Sequence, residues 1–223
     1  MIKNVLVIAA HPDDEVLGCG GTIARHVAEG DRVHVVFMAN GVGSRSAGLP
    51  NDLQCRNHAR DKALRILGVA EWHALDFPDN CMDSVPLLDV VQALEPIFEQ
   101  VQPTRVYTHH YGDLNVDHRV THQAVMTTCR PMPGNSVRAV LTFEVMSSTE
   151  WATPGLAPFM PNAFVDIRKY LPKKLEALEA YGIEMRSSPH SRSVRHIQAL
   201  AMHRGNCVGL EAAEAFNVVR VVE

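Results

Sequence analysis

Residues 4–129 alternate between short apolar runs and longer stretches with helical periodicity. Valine-rich apolar runs of this length, bounded by polar residues, are typical of buried strands. The pattern predicts four such strands, at 4–10, 32–40, 72–75 and 105–110. The intervening stretches predict helices at 17–29, 52–68, 85–102 and 116–129. Gly30 and Gly68 stand where helices would end, and Pro96 would allow a kink in the third helix.

Beyond Pro131 the pattern is less regular. Apolar segments there predict strands at 138–145, 162–167 and 217–222, and helical periodicity predicts helices at 170–185 and 192–204. Strands that alternate with helices are typical of a parallel sheet covered on both faces. Because no repeat or low-complexity linker divides the chain, we expect one α/β domain over residues 1–223. Its fold class would be a Rossmann-like three-layer sandwich around a mostly parallel sheet.

Composition narrows the class of protein. The 223 residues are 46% hydrophobic, which suffices for the core of one domain. With 25 acidic and 21 basic residues, the chain has no excess of basic charge for nucleic acid. No apolar run reaches the ~20 residues of a membrane span, and charge follows the first run too early for a signal peptide. We therefore expect a cytoplasmic protein with no nucleic-acid partner and no membrane span. The oligomeric state stays open, and a homo-oligomer is compatible with the sequence.

The cysteines do not indicate a disulfide framework or a metal site, whereas the histidines deserve closer inspection. The five cysteines are dispersed and form no CxxC pair, so we expect buried free thiols in place of a disulfide framework or a cysteine zinc site. The 12 histidines are many for this length. Their placement therefore bears on the chemistry.

Polar residues follow three of the predicted strands. They read HPDDE (11–15), NGVGS (40–44) and THHYGDLNVDHRVTH (108–122). Ligands of open parallel sheets bind beyond the carboxyl ends of the strands. If the first and fourth strands are neighbours, the carboxylates of HPDDE face a histidine cluster. Imidazole nitrogen and carboxylate oxygen are zinc-type donors, and a dication would offset the repulsion among three adjacent carboxylates.

The residues alone do not assign every ligand. Adjacent turn residues point in different directions, so we expect one of Asp13 and Asp14 to bind metal and the other to act as a base. His118 and His122 would share a helix face, and spacing neither chooses between them nor excludes His110. A lone histidine is more often a surface or packed core residue. Glu15 fits an acidic residue at a helix N-terminus. Two clusters at two strand ends nevertheless favour a metal site.

Two further segments have simpler interpretations. The stretch LGCGG (17–21) lacks the GxGxxG spacing of a dinucleotide site, so its glycines predict close packing of a helix against the sheet. The glycine-bearing loop at 41–51 is long enough to cover a site.

The segments AAHPDDEVLGCGGTIARHVAEGDRVHVV and NVDHR resemble the two motifs of the LmbE-like, or PIG-L, family of zinc-dependent N-acetyl-sugar deacetylases. The resemblance covers about residues 3–130. It implies a Rossmann-like sheet with zinc held by His11, Asp14 and His118. It also implies that Asp13 is the general base and that His122 packs beside the ligands or supports them.

Other positions match that family more loosely. The resemblance implies that Arg56 contacts the substrate sugar and that Asp79 binds a hydroxyl group. Many members carry a histidine near the reacting amide where this chain has Asn115, which can donate a hydrogen bond but cannot carry a proton. His190 is a candidate substitute and substrate-binding residue, and Arg192 could meet an anionic group of the substrate.

The resemblance therefore implies a zinc-dependent N-deacetylase whose substrate is a small N-acetylglucosamine-type conjugate. An alternative is a non-catalytic sugar- or nucleotide-binding module with a structural metal. A third interpretation is a metal hydrolase of a different amide or ester. Iron or cobalt could occupy the same donor set.

Overall fold

The computed structural model describes residues 2–44 and 51–223, and its first elements follow the predicted alternation. Residues 45–50 of the loop expected to cover the site lie outside the described residues. The first four strands are β1 (Asn4–Ala9), β2 (Arg32–Ala39), β3 (Glu71–Phe77) and β4 (Arg105–His109). The helices between them are α1 (Asp14–Ala28), α2 (Asp52–Leu67), α3 (Leu87–Val101) and α4 (Val116–Thr128). As predicted, α2 ends before Gly68, whose φ of 84° is left-handed, and α3 continues past Pro96.

The remaining elements are also present, with different limits. They are β5 (Ala139–Phe143), β6 (Ala163–Asp166), α5 (Leu171–Ala180), α6 (Val194–Asn206) and β7 (Ala213–Val221). The predicted helix 170–185 ends at Ala180, and β7 begins before the predicted 217. Ala213–Phe216 lack the β-branched residues of a typical strand, but they pair with β6 along their whole length. Tertiary pairing therefore decides this boundary.

The sheet has the strand order β3-β2-β1-β4-β5-β7-β6. The first five strands are parallel, and β7 runs antiparallel to both β5 and β6. The expected pairing of the first and fourth strands is present, since Val5 pairs with Arg105 and Val7 with Tyr107. The strand order reverses direction between β1 and β4, which is where ligands bind in open parallel sheets.

Side chains of β1 alternate between two buried layers, as expected for a strand with a period of two. Val5, Val7 and Ala9 pack with residues of α1, α2, α5 and α6. Leu6 and Ile8 pack with residues of α3 and α4 on the opposite face. Helices thus cover both faces, which confirms the α/β three-layer sandwich.

The LGCGG segment packs closely against the sheet, as predicted. A Cβ atom on Gly18 would overlap the Phe143 ring of β5, and one on Gly21 would lie 2.9 Å from Ile167 carbons. Helix α1 is interrupted here, because Cys19 has φ −147° and ψ 25°. The carboxylate of Glu214 accepts hydrogen bonds from the backbone N–H groups of Gly21 and Thr22, at 2.9 and 2.6 Å. The second half of α1 therefore begins with its own cap.

All five cysteines are free thiols, but the expectation that they are buried is only partly correct. Cys19 and Cys129 are buried, whereas Cys55, Cys81 and Cys207 are exposed. Across residues 2–44 and 51–223, no helix has the length and apolar character to cross a bilayer.

We expect Gly18→Ala to destabilise the protein by about 1–3 kcal/mol, because the added methyl group must displace the Phe143 ring in a packed core. Urea unfolding monitored by circular dichroism measures this change as a lower midpoint with an unchanged slope. Gly20→Ala is the matched control, since its Cβ would meet Val16 Cγ1 at 3.0 Å and Lys174 Cγ at 3.4 Å. Equal losses for the two variants would contradict the close contact with Phe143.

Candidate metal centre

The site lies at the carboxyl ends of β1 and β4. The chain leaves β1 through a sharp corner at residues 11–14, and Asp14 is the first residue of α1. Asp13 has φ 120° and ψ −28°, outside the regions that non-glycine residues normally occupy. This corner points the side chains of Asp13 and Asp14 to different partners, as predicted for adjacent turn residues.

Three predicted residues come together around one point. Oδ2 of Asp14 lies 3.3 Å from Nδ1 of His11 and 3.3 Å from Nε2 of His118. Each residue has a ligand atom within 4.8 Å of those of the other two, and all three side chains are buried. His118 comes from the first turns of α4, so the group joins the segments that follow β1 and β4.

Each imidazole of this group turns its other nitrogen toward a second carboxylate. Nε2 of His11 lies 2.9 Å from Oδ2 of Asp117, and Nδ1 of His118 lies 3.1 Å from Oδ1 of Asp113. Metal-bound histidines commonly make such contacts, because the outer carboxylate fixes the tautomer and orientation of the ring.

The two outer carboxylates are themselves held in place. Asp117 accepts hydrogen bonds from the backbone N–H groups of Asn80 and Met82, at 2.7 and 3.0 Å. Asp113 accepts bonds from the hydroxyl groups of Ser148 and Thr149.

The residues present fit a divalent cation. Two nitrogens and one carboxylate are a donor set found in catalytic zinc sites, which keep a fourth position open. Oδ1 of Asp14 is buried and has no hydrogen-bond partner among the described residues. An unpartnered carboxylate oxygen is costly unless a cation or donor meets it.

Electrostatic interactions among the three residues favour the ionised form of Asp14 and the protonated form of His118. Burial opposes ionisation of Asp14, but His118 and His11 outweigh it and hold the pKa of Asp14 well below its usual value. Burial likewise opposes protonation of His118, yet Asp14 and Asp113 raise its pKa to about 9. Without a bound cation, the imidazoles therefore supply the positive charge near Asp14.

The other histidines of the 108–122 segment lie outside this group. Nε2 of His110 lies 2.8 Å from the carbonyl oxygen of Ala157, and Nδ1 of His122 lies 2.9 Å from the carbonyl oxygen of His109. His109, which the sequence did not single out, stacks on His118 with a centroid distance of 3.9 Å. His109 therefore packs against one face of the His118 ring.

A cavity of about 430 Å³ opens beside the group. Its described lining includes the predicted residues His11, Asp13, Arg56, Asp79 and Asn115. It also includes Arg192, which the sequence did single out. Three further lining residues were not singled out, namely Asn80, Glu184 and Arg186. A pocket lined almost wholly by polar side chains suits a polyhydroxylated ligand better than an apolar one.

Two arginines hold the carboxylate of Asp13. Nη2 of Arg56 lies 3.3 Å from Oδ1, and Nη1 of Arg192 lies 2.9 Å from Oδ2. Arg56 also pairs with Glu184 at 2.6 Å. Burial raises the pKa of Asp13, and the charges of Arg56 and Arg192 offset this only in part.

Asp79 lies within reach of His11, since its Oδ1 is 3.2 Å from Nε2 of that ring. Its Oδ2 accepts hydrogen bonds from the backbone N–H and the hydroxyl group of Ser44, at 2.9 and 2.8 Å. Burial opposes ionisation, but His11 and Ser44 outweigh it and lower the pKa of Asp79 to about 2.

Asn115 and His190 have local structural partners. Asn115 caps α4, because its Oδ1 accepts a hydrogen bond from the N–H of Asp117 at 2.8 Å. Its Nδ2 donates to Oδ1 of Asn80 at 3.0 Å. Nδ1 of His190 accepts the N–H of Arg192 at 3.0 Å, and its ring meets Trp151 edge-on. His190 does not belong to the described lining of the cavity.

Sequence reasoning missed several residues of the site. Asp113 and Asp117 lie in the segment that was singled out, and their position beside a candidate ligand histidine was an available signal. Glu184 and Arg186 lie in a segment without a motif, and no local pattern could have found them.

Comparison with known proteins agrees with this geometry. Residues 6–129, more than half of the chain, match the family described as PIG-L: GlcNAc-PI de-N-acetylase. The chain belongs to the PIG-L family. YaiS, an uncharacterized deacetylase of Escherichia coli K12, is 34% identical over 185 residues, which span 80% of this chain and 90% of that protein.

Other relatives differ in their described activities. Diacetylchitobiose deacetylase of Thermococcus kodakarensis is 26% identical over 98% of this chain and 84% of its own length. A 4-oxalmesaconate hydratase of Pseudomonas putida is 26% identical over 79% of this chain and 72% of its own length. Similarity to these relatives therefore does not by itself decide the reaction.

We expect zinc binding at pH 7 to release protons, because the pKa of His118 near 9 keeps this ring protonated in metal-free protein. Zinc affinity should therefore increase with pH up to about 9. Isothermal titration calorimetry of chelator-treated protein, in two buffers of different ionisation enthalpy, measures the number of protons released.

The matched variant is Asp113→Asn, which removes one of the charges that raise the pKa of His118. It should release fewer protons than the wild type at pH 7. A binding enthalpy that does not depend on the buffer would contradict a protonated His118 in the metal-free protein.

Proposed function

We propose that this chain is a zinc-dependent N-deacetylase that removes the acetyl group from an N-acetylglucosamine-type conjugate, with residues 1–223 acting as one catalytic domain. The observation that carries the proposal is the convergence of His11, Asp14 and His118 beside a polar cavity that Asp13 also lines. The description of the matching family and of two relatives as deacetylases supports an N-acetyl substrate.

In this proposal His11, Asp14 and His118 hold the metal, and Asp113 and Asp117 orient the two rings. A bound zinc ion supplies a Lewis acid that polarises a carbonyl oxygen and makes water more acidic. Three protein ligands leave room for substrate. The position of Asp14 at the start of α1 keeps this ligand rigid relative to β1.

Asp13 acts as the general base. Its carboxylate takes a proton from water as the water oxygen attacks the carbonyl carbon of the acetyl group. It then returns that proton to the amide nitrogen as the C–N bond breaks, and this nitrogen becomes the free amine. Acetate and the free amino sugar are the products. Burial raises the pKa of Asp13, which makes the carboxylate a better proton acceptor, while Arg56 and Arg192 hold it toward the cavity.

We propose that Arg56 and Asp79 contact the substrate, and we keep His190, which lies outside the described lining of the cavity, as a further candidate. Arg56 and Asp79 line the cavity and offer a donor and an acceptor for sugar hydroxyl groups. His190 uses Nδ1 for the N–H of Arg192, so a contact with substrate would use Nε2. Arg192 is available to an anionic group on the conjugate.

Asn115 is proposed to donate a hydrogen bond from Nδ2 toward the reacting amide. It would have to exchange its present partner, Oδ1 of Asn80, for the substrate. Since asparagine cannot deliver a proton, Asp13 must carry the proton in both directions.

We expect Asp13→Asn to lower kcat for acetate release by about 10²–10⁴-fold, because the amide cannot accept the proton. Zinc content per chain should not change, since Asp13 is not one of the proposed ligands. The control is Asp83→Asn, which changes an exposed carboxylate that does not belong to the described lining of the cavity. An Asp13→Asn protein with wild-type kcat would show that another group is the base.

A screen over amino-sugar conjugates, with zinc and after chelation, tests the function itself. Release of acetate only with zinc supports the proposal. Binding of sugars without acetate release would favour the non-catalytic module, for which Asn115 is the favouring observation. O-acyl sugars test for an esterase, and 4-oxalmesaconate tests for a hydratase like the P. putida relative.

Variants of Asn115 separate its role as a cap from a role toward substrate. Asn115→Ala should lose about 1 kcal/mol of stability through loss of the cap, whereas Asn115→Asp keeps a capping oxygen. If the amide donates to substrate, both variants should lower kcat/KM. Thermal unfolding and acetate release measure the two effects. Full activity in Asn115→Asp would rule out the donor role.

A further inference from the structure

The backbone conformation of Asp13 is unusual within the chain. Four non-glycine residues have positive φ among the described residues, and three of them (Asn80, Gln102 and Ser147) have φ values of 49–66°. These values belong to the ordinary left-handed region, whereas the φ of 120° at Asp13 does not. Such a conformation persists only where surrounding contacts impose it.

Contacts on both sides fix the Asp13 residue. Its carbonyl oxygen accepts hydrogen bonds from the N–H groups of Val16 and Leu17, in the first turn of α1. Its N–H donates to Oε2 of Glu15 at 2.9 Å. Glu15 is completely buried and belongs to the same turn. A hydrogen bond between two neighbouring residues does not by itself fix both of them, so contacts of the Glu15 carboxyl group outside this turn bear on the conformation of Asp13.

Tyr181 supplies this outside contact. Its hydroxyl group donates to Oε1 of Glu15 at 2.8 Å, and its side chain is completely buried. Tyr181 lies at the C-terminal end of α5, 166 residues away in sequence. Its carbonyl oxygen also accepts the N–H of Glu184, whose carboxylate pairs with Arg56 beside Asp13. The turn that contains Tyr181 and Glu184 therefore contacts Asp13 in two ways. Tyr181 supports its backbone through Glu15, and Glu184 supports its carboxylate through Arg56.

We propose that Tyr181 is a positioning residue for Asp13. Through Glu15 it holds the Asp13 backbone in the conformation that separates the Asp13 carboxylate from Asp14 and directs it to the cavity. The inference rests on the proposed function, in which Asp13 is the base. Without the hydroxyl group of Tyr181, Glu15 is free to change rotamer, and the Asp13 backbone relaxes toward an ordinary conformation.

The test is Tyr181→Phe, which removes one hydroxyl group and keeps the ring beside Arg56. We expect kcat for acetate release to fall by about tenfold or more, because small displacements of a reacting group are costly. KM should stay within about twofold, and zinc content should not change. A merely structural role would lower the amount of folded protein without lowering kcat per zinc-loaded molecule.

The matched control is Tyr107→Phe. Tyr107 is also buried and also makes a hydrogen bond through its hydroxyl group, to Nε2 of His26 at 3.0 Å. Neither Tyr107 nor His26 lines the cavity. We therefore expect Tyr107→Phe to lose stability without losing kcat. Glu15→Gln is the second variant, because its amide replaces one acceptor oxygen with a donor. Combined with Tyr181→Phe, it should lower kcat less than the product of the two separate losses.

A second readout does not depend on activity. The amide proton of Asp13 should resonate downfield in the zinc-loaded wild type and move upfield in Tyr181→Phe, but not in Tyr107→Phe. If the wild type releases no acetate while this shift occurs, the proposed function fails and the link from Tyr181 to Asp13 stands. If Tyr181→Phe retains both wild-type kcat and the wild-type shift, the positioning role is overturned.

Discussion

The carboxylate of Asp14 is almost fully buried, so the surrounding structure must supply the charge that compensates it. His11 and His118 do so, and each is oriented by a further carboxylate. These contacts tie the segments after β1 and β4 together at the point where the strand order reverses. A cation bound among the three residues would complete the compensation and leave both imidazoles neutral.

Asp13 and Asp14 are adjacent in the HPDDE motif, but their side chains have different partners because the backbone turns sharply between them. Asp14 begins α1 and faces the histidines, whereas Asp13 faces Arg56 and Arg192. The close packing of Gly18 against Phe143 and the cap from Glu214 hold α1 in place behind the corner. The free energy of packing around α1 therefore offsets part of the conformational free energy that the unfavourable backbone conformation of Asp13 requires.

The PIG-L match ends at residue 129, and the proposed ligands lie within it. The same part of the chain supplies most of the described cavity lining, and the remainder adds Glu184, Arg186 and Arg192. The segment after residue 129 thus completes a pocket that is built mainly by the part of the chain that carries the proposed ligands. Two of these residues reach the proposed base, because Arg192 pairs with Asp13 and Glu184 pairs with Arg56 beside it.

The sequence by itself determined the alternation of strands and helices up to residue 129, because hydrophobic periodicity is a local property of the chain. It also indicated His11, Asp14 and His118, since parallel strand ends meet at one edge and the HPDDE motif resembles a known family. Only the tertiary structure decided that Asp117 lies beside the His11 ring and that Tyr181 reaches Glu15. These two contacts join residues 106 and 166 positions apart, and they depend on the pairing of β1 with β4 and on where α5 places Tyr181. Local patterns carry no record of that packing.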